Sequence, residues 1–193
     1  MEPSSGTTYR ARLEDGTQLL FRLIRPADKA LLARGFTELS DRSRYERFFS
    51  HLKGLSEAQL RYLTEVDHED HSAWVAIVPG NSEGARGVGV GRWVRLVQEP
   101  TVAEVAVTVI DAFHRRGIGR TLMYLAAVSA LAKGITTFQA WVLGDNKATL
   151  RMFELMGATR GRWEEGIVEL RVPLSAAVNR PELVPLDLEP VQL

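Results

Sequence analysis

One segment constrains this chain more than any other. A valine-rich run, Val105-Ala106-Val107-Thr108-Val109, passes through Asp111-Ala112-Phe113-His114-Arg115-Arg116-Gly117-Ile118-Gly119-Arg120 into a stretch where Leu122, Leu125, Ala126, Ser129 and Ala132 share one helical face. A strand that feeds a glycine loop into a helix start builds an anion site. The first helical turn leaves N–H donors unpaired at the positive end of the helix dipole, and glycine lets a phosphate oxygen approach that backbone. Arg115, Arg116 and Arg120 add charge beside it, so the segment suits a pyrophosphate. A dinucleotide-binding loop needs a third glycine after Gly119, where Arg120, Thr121 and Leu122 stand, and a P-loop needs a Gly-Lys pair that this loop lacks.

The flanking pattern predicts the layers around that segment. Leu19 to Ile24 reads as a strand stopped by Pro26, Ala27 to Leu39 and Arg42 to Phe49 as helices, and Ser56 as the cap of a third helix through Leu60, Leu63 and Val66. Ala73 to Val78, Gly87 to Leu96 and Val102 to Ile110 are strands, with Gly87, Gly89 and Gly91 marking a bulge or a tight packing contact. After the helix that closes at Lys133-Gly134 come a strand, Thr136 to Val142, a helix capped by Asn146 and ended by Gly157, and a strand, Gly166 to Val172. Helices early, antiparallel strands in the middle and a strand-helix-strand-helix-strand ending predict a mixed α/β fold, with helices packed on one sheet. Residues 1–8 are expected to be a flexible N-terminus, 9–174 the domain, and 175–193 a tail punctuated by prolines, with Leu183, Val184, Leu186 and Leu188 as its apolar contacts.

Charge and cysteine content exclude several chemistries. Lys+Arg and Asp+Glu both number 24, so no global field draws the chain to nucleic acid or a membrane, and any anion site is local. With no cysteine, disulfides, thiolate metal sites and a cysteine acyl-enzyme are removed, and the cytoplasm is the expected compartment. The longest apolar stretch, Leu122 to Ala132, is too short to span a bilayer. His68 and His71 lack a third ligand, so no metal is expected.

The phosphate loop, His114 through Gly119 after a strand carrying Glu104, resembles that of the GNAT acetyltransferase superfamily, with His114 standing where that family has Gln or Arg. Asn146-Lys147-Ala148, Met152-Phe153 and Gly157-Ala158 are similar to a second GNAT segment, and the resemblance runs from about Arg22 to Leu174. It implies a GNAT fold, a mixed and mostly antiparallel central sheet flanked by helices. It also implies acetyl-CoA as co-substrate, its pyrophosphate on Arg115, Arg116, Gly117, Ile118, Gly119 and Arg120, its pantetheine arm on the strand amides of Val107 and Val109, and a further contact from Asn146. Glu104 is implied as the general base that deprotonates an attacking amine. The apolar residues around it suggest partial burial, with a strand residue that faces solvent as the other reading. The tyrosine that often protonates the leaving thiolate is replaced by Phe153. Upstream, Leu39 to Phe49, Leu63 to Asp67 and His71 to Ala76 resemble the GNAT domain of bacterial Pat-type protein lysine acetyltransferases. That likeness implies a protein lysine as acceptor, such as one in an acyl-CoA synthetase. Transfer to a small amine and a non-catalytic acetyl-CoA sensor remain open beside it. The Phe48-Phe49 pair and Trp74, Trp93, Trp141 and Trp163 are expected in the core more often than in a substrate wall.

Overall fold

The computed structural model describes residues 7–80, 84–180 and 184–191. Alternating burial makes the first hairpin. In β1 (Thr8–Arg12) Tyr9 and Ala11 point inward while Arg10 and Arg12 face solvent, and a turn at Asp15-Gly16 leads into β2 (Gln18–Leu23). Pro26 opens a short 3-10 turn and α1 (Lys29–Thr37), α2 (Asp41–Phe48) and α3 (Glu57–Thr64) follow. The last two start on serine: Ser40 accepts from the Ser43 N–H, and Ser56 and Gln59 cap each other.

Three antiparallel strands come next, β3 (His71–Val78), β4 (Arg86–Arg95) and β5 (Val102–Val109). The long helix α4 (Ile118–Leu131) then crosses to β6 (Thr137–Leu143), which lies parallel to β5. The remainder is α5 (Lys147–Leu155), β7 (Thr159–Glu164), β8 (Ile167–Pro173), α6 (Leu174–Val178) and β9 (Glu189–Val191). Among the described residues one nine-stranded sheet results, ordered β7-β8-β6-β5-β4-β3-β2-β1-β9, mixed and mostly antiparallel with helices on its faces. Two apolar clusters hold it. One gathers β6, β8, α5 and α6 through Phe138, Phe153, Val168 and Leu174; the other gathers β1, β2, β3 and α1 through Leu19, Phe21, Phe36 and Trp74. α4 serves both, with Met123 and Ala127 in the first and Ile118, Leu122 and Leu125 in the second.

The glycines of β4 are where α4 lies closest to the sheet. A Cβ on Gly91 would stand 3.0 Å from Leu122 Cβ and 3.1 Å from the Leu122 carbonyl oxygen, a backbone atom that cannot swing aside. Gly91→Ala is therefore expected to lower stability by about 1–3 kcal/mol through overpacking. A urea melt checks it: the midpoint falls with the slope unchanged. The register of β3 on β4 shifts between Ala76 and Ile77, so the glycine run includes a bulge as well as the packing contact.

Past Leu174 the structure continues with α6 and β9. Leu186 is buried in the second cluster, Leu188 packs beside it, and β9 pairs with β1, so the described part of the tail adds a strand to the sheet. Leu183 and residues 1–6 of the expected flexible N-terminus lie outside the described residues, whereas Thr8 already belongs to β1. Among the described residues no helix is long and apolar enough to cross a membrane.

Candidate active site

The sheet parts in the middle. β5 and β6 pair only at Val102–Thr137, Ala103–Phe138 and Glu104–Gln139, and beyond Glu104 the two strands run on without each other. Which β5 groups this leaves free follows from the alternation of backbone direction. Ile110 N–H donates to the Val88 carbonyl and the Val102 carbonyl accepts from Leu96, so even-numbered positions are spent on the β4 side. The odd ones, Val105, Val107 and Val109, turn their N–H and C=O groups toward the gap. An extended chain carrying amides and a carbonyl fits such an edge as a substitute strand. The Val109 carbonyl is already taken by His114, whose Nε2 donates to it at 2.8 Å. This is the observed role of the histidine that stands in the Gln or Arg position.

The gap opens beside the start of α4. Gly117 caps that helix with φ 85°, Arg115 also adopts a left-handed φ of 59°, and the first intrahelical donor is Thr121 to the Gly117 carbonyl at 3.0 Å. The amides of Ile118, Gly119 and Arg120 thus form the open first turn. Arg115 and Arg120 have no ion pair among the described residues, while Arg116 is committed to Asp15 and stacks over Phe113 at 5.0 Å. The loop is braced from the other side, where the Asp111 carboxylate accepts from Ser40 N at 2.9 Å, Ser40 Oγ at 2.7 Å and Ser43 Oγ at 3.0 Å. Burial works to raise its pKa, but the bonds from Ser40 and Ser43 outweigh that and hold it below the usual carboxylate value.

Glu104 sits where the strands separate, opposite Val94 on one side and Gln139 on the other. Its side chain is exposed, not partly buried as the apolar run around it suggested, because it faces away from α4 while its neighbours Ala103 and Val105 pack into the core. On the same face Ala106 and Thr108 floor a cavity of ≈ 70 Å³ roofed by Leu31, Leu32 and Phe36 of α1. Two arginines that sequence reasoning passed over also line it. Arg92, on β4, is 5% exposed, donates to the Leu63 carbonyl at 2.7 Å and bonds the His71 ring. Burial first and the charge of Arg47 second push Arg92 down to about 9, with Tyr62 opposing. Arg47, on α2, lies over the Phe48 ring at 4.9 Å, and its pKa is lowered by burial, against the pull of Glu104 and Tyr62. Burial and the Arg92 charge hold His71 down at about 4, so its ring is neutral at pH 7 and its Nε2 accepts. An arginine in the middle of an otherwise apolar strand, as Arg92 is, was the signal available in the sequence.

Other expected site residues are engaged structurally. Asn146 caps α5 by accepting from Thr149 N at 3.1 Å, which leaves its amide nitrogen as the free half of the side chain. Phe153 is 1% exposed inside the first core cluster, so its ring packs the core. Trp74 and Trp93 are core residues and both donate to Ser129 Oγ, but Trp141, Trp163 and Phe49 are exposed. His68 bonds Ser72 and the Ile24 carbonyl, and no metal-binding group of three ligands exists among the described residues.

The model of the acetyltransferase (GNAT) family matches residues 31–158, two thirds of the sequence, including the parted strands and the glycine loop. The chain belongs to the GNAT acetyltransferase family. Among relatives of this GNAT chain, the acetyltransferase Pat of Mycolicibacterium smegmatis is 36% identical over 183 residues, which cover 92% of this chain and 53% of Pat. The chain thus spans about half the length of that relative. The crystal structure of the GNAT domain of S. lividans PAT superposes with a TM-score of 0.76 at 29% identity, covering 85% of this chain and 95% of that one. A second similar structure, yncA of Salmonella typhimurium with its cofactor acetyl-CoA, shares the GNAT fold at 15% identity and a TM-score of 0.65, covering 81% of this chain and 94% of that one.

Proposed function

We propose that this GNAT chain transfers the acetyl group of acetyl-CoA to an amine, with a protein lysine as acceptor. The observation that carries the reading is the seam between β5 and β6, whose unpaired Val105, Val107 and Val109 amide edge leads directly to the open first turn of α4. The amides of Ile118, Gly119 and Arg120 and the side chains of Arg115 and Arg120 suit the pyrophosphate. Gly117 sets the turn, Arg116 steadies the loop through Asp15 and Phe113, and the free amide half of Asn146 is available to the co-substrate. The N–H groups of Val107 and Val109 suit the pantetheine arm, an extended chain of amides.

With the thioester at the parting of the strands, Glu104 stands at the mouth to take a proton from the incoming ammonium. The freed nitrogen lone pair attacks the thioester carbonyl, a C–N bond forms, the C–S bond breaks as the thiolate leaves with its electron pair, and the second proton on nitrogen passes to that thiolate or to water. Phe153 offers no proton, and a thiolate leaves tolerably without one. Kinship to Pat and the upstream segment at Leu39 to Phe49 favour a lysine on a protein, such as an acyl-CoA synthetase. An open groove lined by Tyr45 and Glu46 of α2 and by Asp145, Trp163 and Glu165 beyond the end of β6 gives such a chain room to lie against α2.

The test is release of CoA from acetyl-CoA in the presence of a lysine-bearing protein, free lysine or a polyamine, alongside the melting temperature at saturating acetyl-CoA. Turnover with the protein acceptor is expected, and stabilisation of roughly 2.7 kcal/mol at a hundredfold excess over Kd. Turnover with free lysine or polyamine alone would move the acceptor to small amines. An unchanged melting temperature would remove acetyl-CoA from the account.

A further inference from the structure

The cavity beneath α1 is lined by two arginines that form no ion pair among the described residues. Its lining is apolar except for Asp28, Thr108, Arg47 and Arg92. Asp28 is already spent, held by both Arg22 guanidinium nitrogens at 2.7 Å and by Arg25 N at 2.8 Å. Arg92 is satisfied only by neutral acceptors, the Leu63 carbonyl and the uncharged His71 ring. Arg47 has no hydrogen bond or ion pair among the described residues and rests on the Phe48 ring. Two guanidinium groups close enough for one to depress the other line one cavity. The Glu104 carboxylate pulls on Arg47 from the adjoining position on β5 but forms no ion pair with either arginine among the described residues, so both forks stay open to an anion that enters the cavity. Arginine's planar fork suits a carboxylate in particular.

The position of the pair limits what the anion is attached to. Arg92 lies opposite Ala106 in the β4–β5 register, and Glu104 is the next residue on the same face, so Arg92 stands one diagonal step, roughly 7–8 Å, from Glu104. The cavity volume of ≈ 70 Å³ holds about five water-sized positions, enough for a short carbon chain over Val90, Ala106 and Thr108. We propose that Arg47 and Arg92 form a subsite for a carboxylate at the far end of a three- to five-carbon chain whose other end reaches Glu104. Such a chain is either the acyl group of a dicarboxylic acyl thioester or the body of an amino-acid acceptor. The inference rests on the reading of the β5–β6 seam as the thioester site for its link to catalysis, but not for the binding of the carboxylate.

Binding is tested first and without CoA. Glutarate is titrated into the intact chain while the arginine side-chain Nε–H signals are followed by NMR, with dimethyl glutarate as the uncharged control. Saturable shifts with glutarate and none with the diester are expected, with affinity at least tenfold weaker in both Arg47→Gln and Arg92→Lys. Arg47→Gln keeps the test decisive if the buried Arg92 variant fails to fold, since Arg47 has no bond for the fold to lose. Equal affinity of wild type and Arg47→Gln for glutarate, equal binding of the diester, or no binding at all would overturn the subsite. Kinetics then distinguish the sources. A KM for succinyl-CoA that rises tenfold in Arg47→Gln, with that for acetyl-CoA unmoved, assigns the carboxylate to the donor. The same selective rise for glutamate against its decarboxylated counterpart assigns it to the acceptor, and a variant that alters neither contrast refutes the link to the reaction. Failure of acetyl transfer itself leaves the glutarate titration standing, so the two readings fail separately.

Discussion

Replacing Glu104 by glutamine is expected to lower turnover by roughly 10²–10⁴-fold while leaving acetyl-CoA affinity intact. The substitution keeps the shape and hydrogen-bonding capacity of the side chain and removes only the proton acceptor. Its exposed position at the mouth of the seam means that no core packing changes with it, so a fall in rate reports chemistry rather than folding. The pH profile gives a second reading. An ammonium has no lone pair, so the wild-type rate rises as the amine deprotonates, and the variant regains part of its deficit at high pH where free amine is abundant. Acetyl-CoA affinity and CoA release are measured for both proteins across pH with a lysine-bearing acceptor. Equal rates at neutral pH would sink Glu104 as the base, and absence of turnover by either protein with any amine would favour a sensor.

The second large effect concerns the glycine loop, where two nearby glycines make opposite structural predictions. Gly117 has φ 85°, and a Cβ there would stand 2.6 Å from Pro185 Cγ, so Gly117→Val strains the backbone and drives the tail off the loop. A stability loss of about 2–4 kcal/mol is expected, together with loss of acetyl-CoA binding as the first turn of α4 shifts. Gly119 is different: a Cβ there meets only Val109 Cγ2 at an ordinary 3.7 Å. Gly119→Ala should therefore leave the melting temperature of the free protein unchanged and still weaken acetyl-CoA by about tenfold, because the methyl group occupies the approach to the helix amides. Calorimetric titration beside thermal melts separates the two. Unaltered acetyl-CoA affinity in Gly119→Ala would show that no phosphate comes against this turn.

Most of the architecture was legible because long periodic segments dominate it. The helix from Ile118, the strands around Trp74, Trp93 and Val105, and the caps at Ser56 and Asn146 lie within a residue or two of where their patterns put them. β1 was missed although Tyr9, Ala11 and Leu13 alternate with arginines and a glutamate, since a five-residue strand near the chain start reads as a polar terminus. β7 gives no apolar alternation at all: every residue from Thr159 to Glu164 is exposed, and its strand partner among the described residues is β8. The placement of the candidate residues, as distinct from their role, was legible where the backbone decides it. Val107 and Val109 face the gap and Gly117 caps α4 because strand and helix geometry leave those groups no other direction. Side-chain environments were not legible. Glu104 stands exposed in an apolar run because strand alternation turns it to the face opposite α4, while Ala103 and Val105 pack into the core. Arg47 and Arg92 meet only because α2 folds over β4 and β5, a contact between segments more than forty residues apart in sequence.

The two borders of the sheet complete the picture of how this molecule meets others. A long flat strand with a free edge invites a second chain to extend the ladder, and that route leads to aggregates. Here the edge of β1 is covered by the molecule's own β9, three residues long with Pro190 at its centre. At the far border β7 carries Arg160, Arg162 and Glu164 and is broken by an irregular register between Arg160 and Trp163. Among the described residues the sheet therefore ends on a short, proline-bearing ribbon at one side and a charged, kinked one at the other, two borders that discourage edge-to-edge growth.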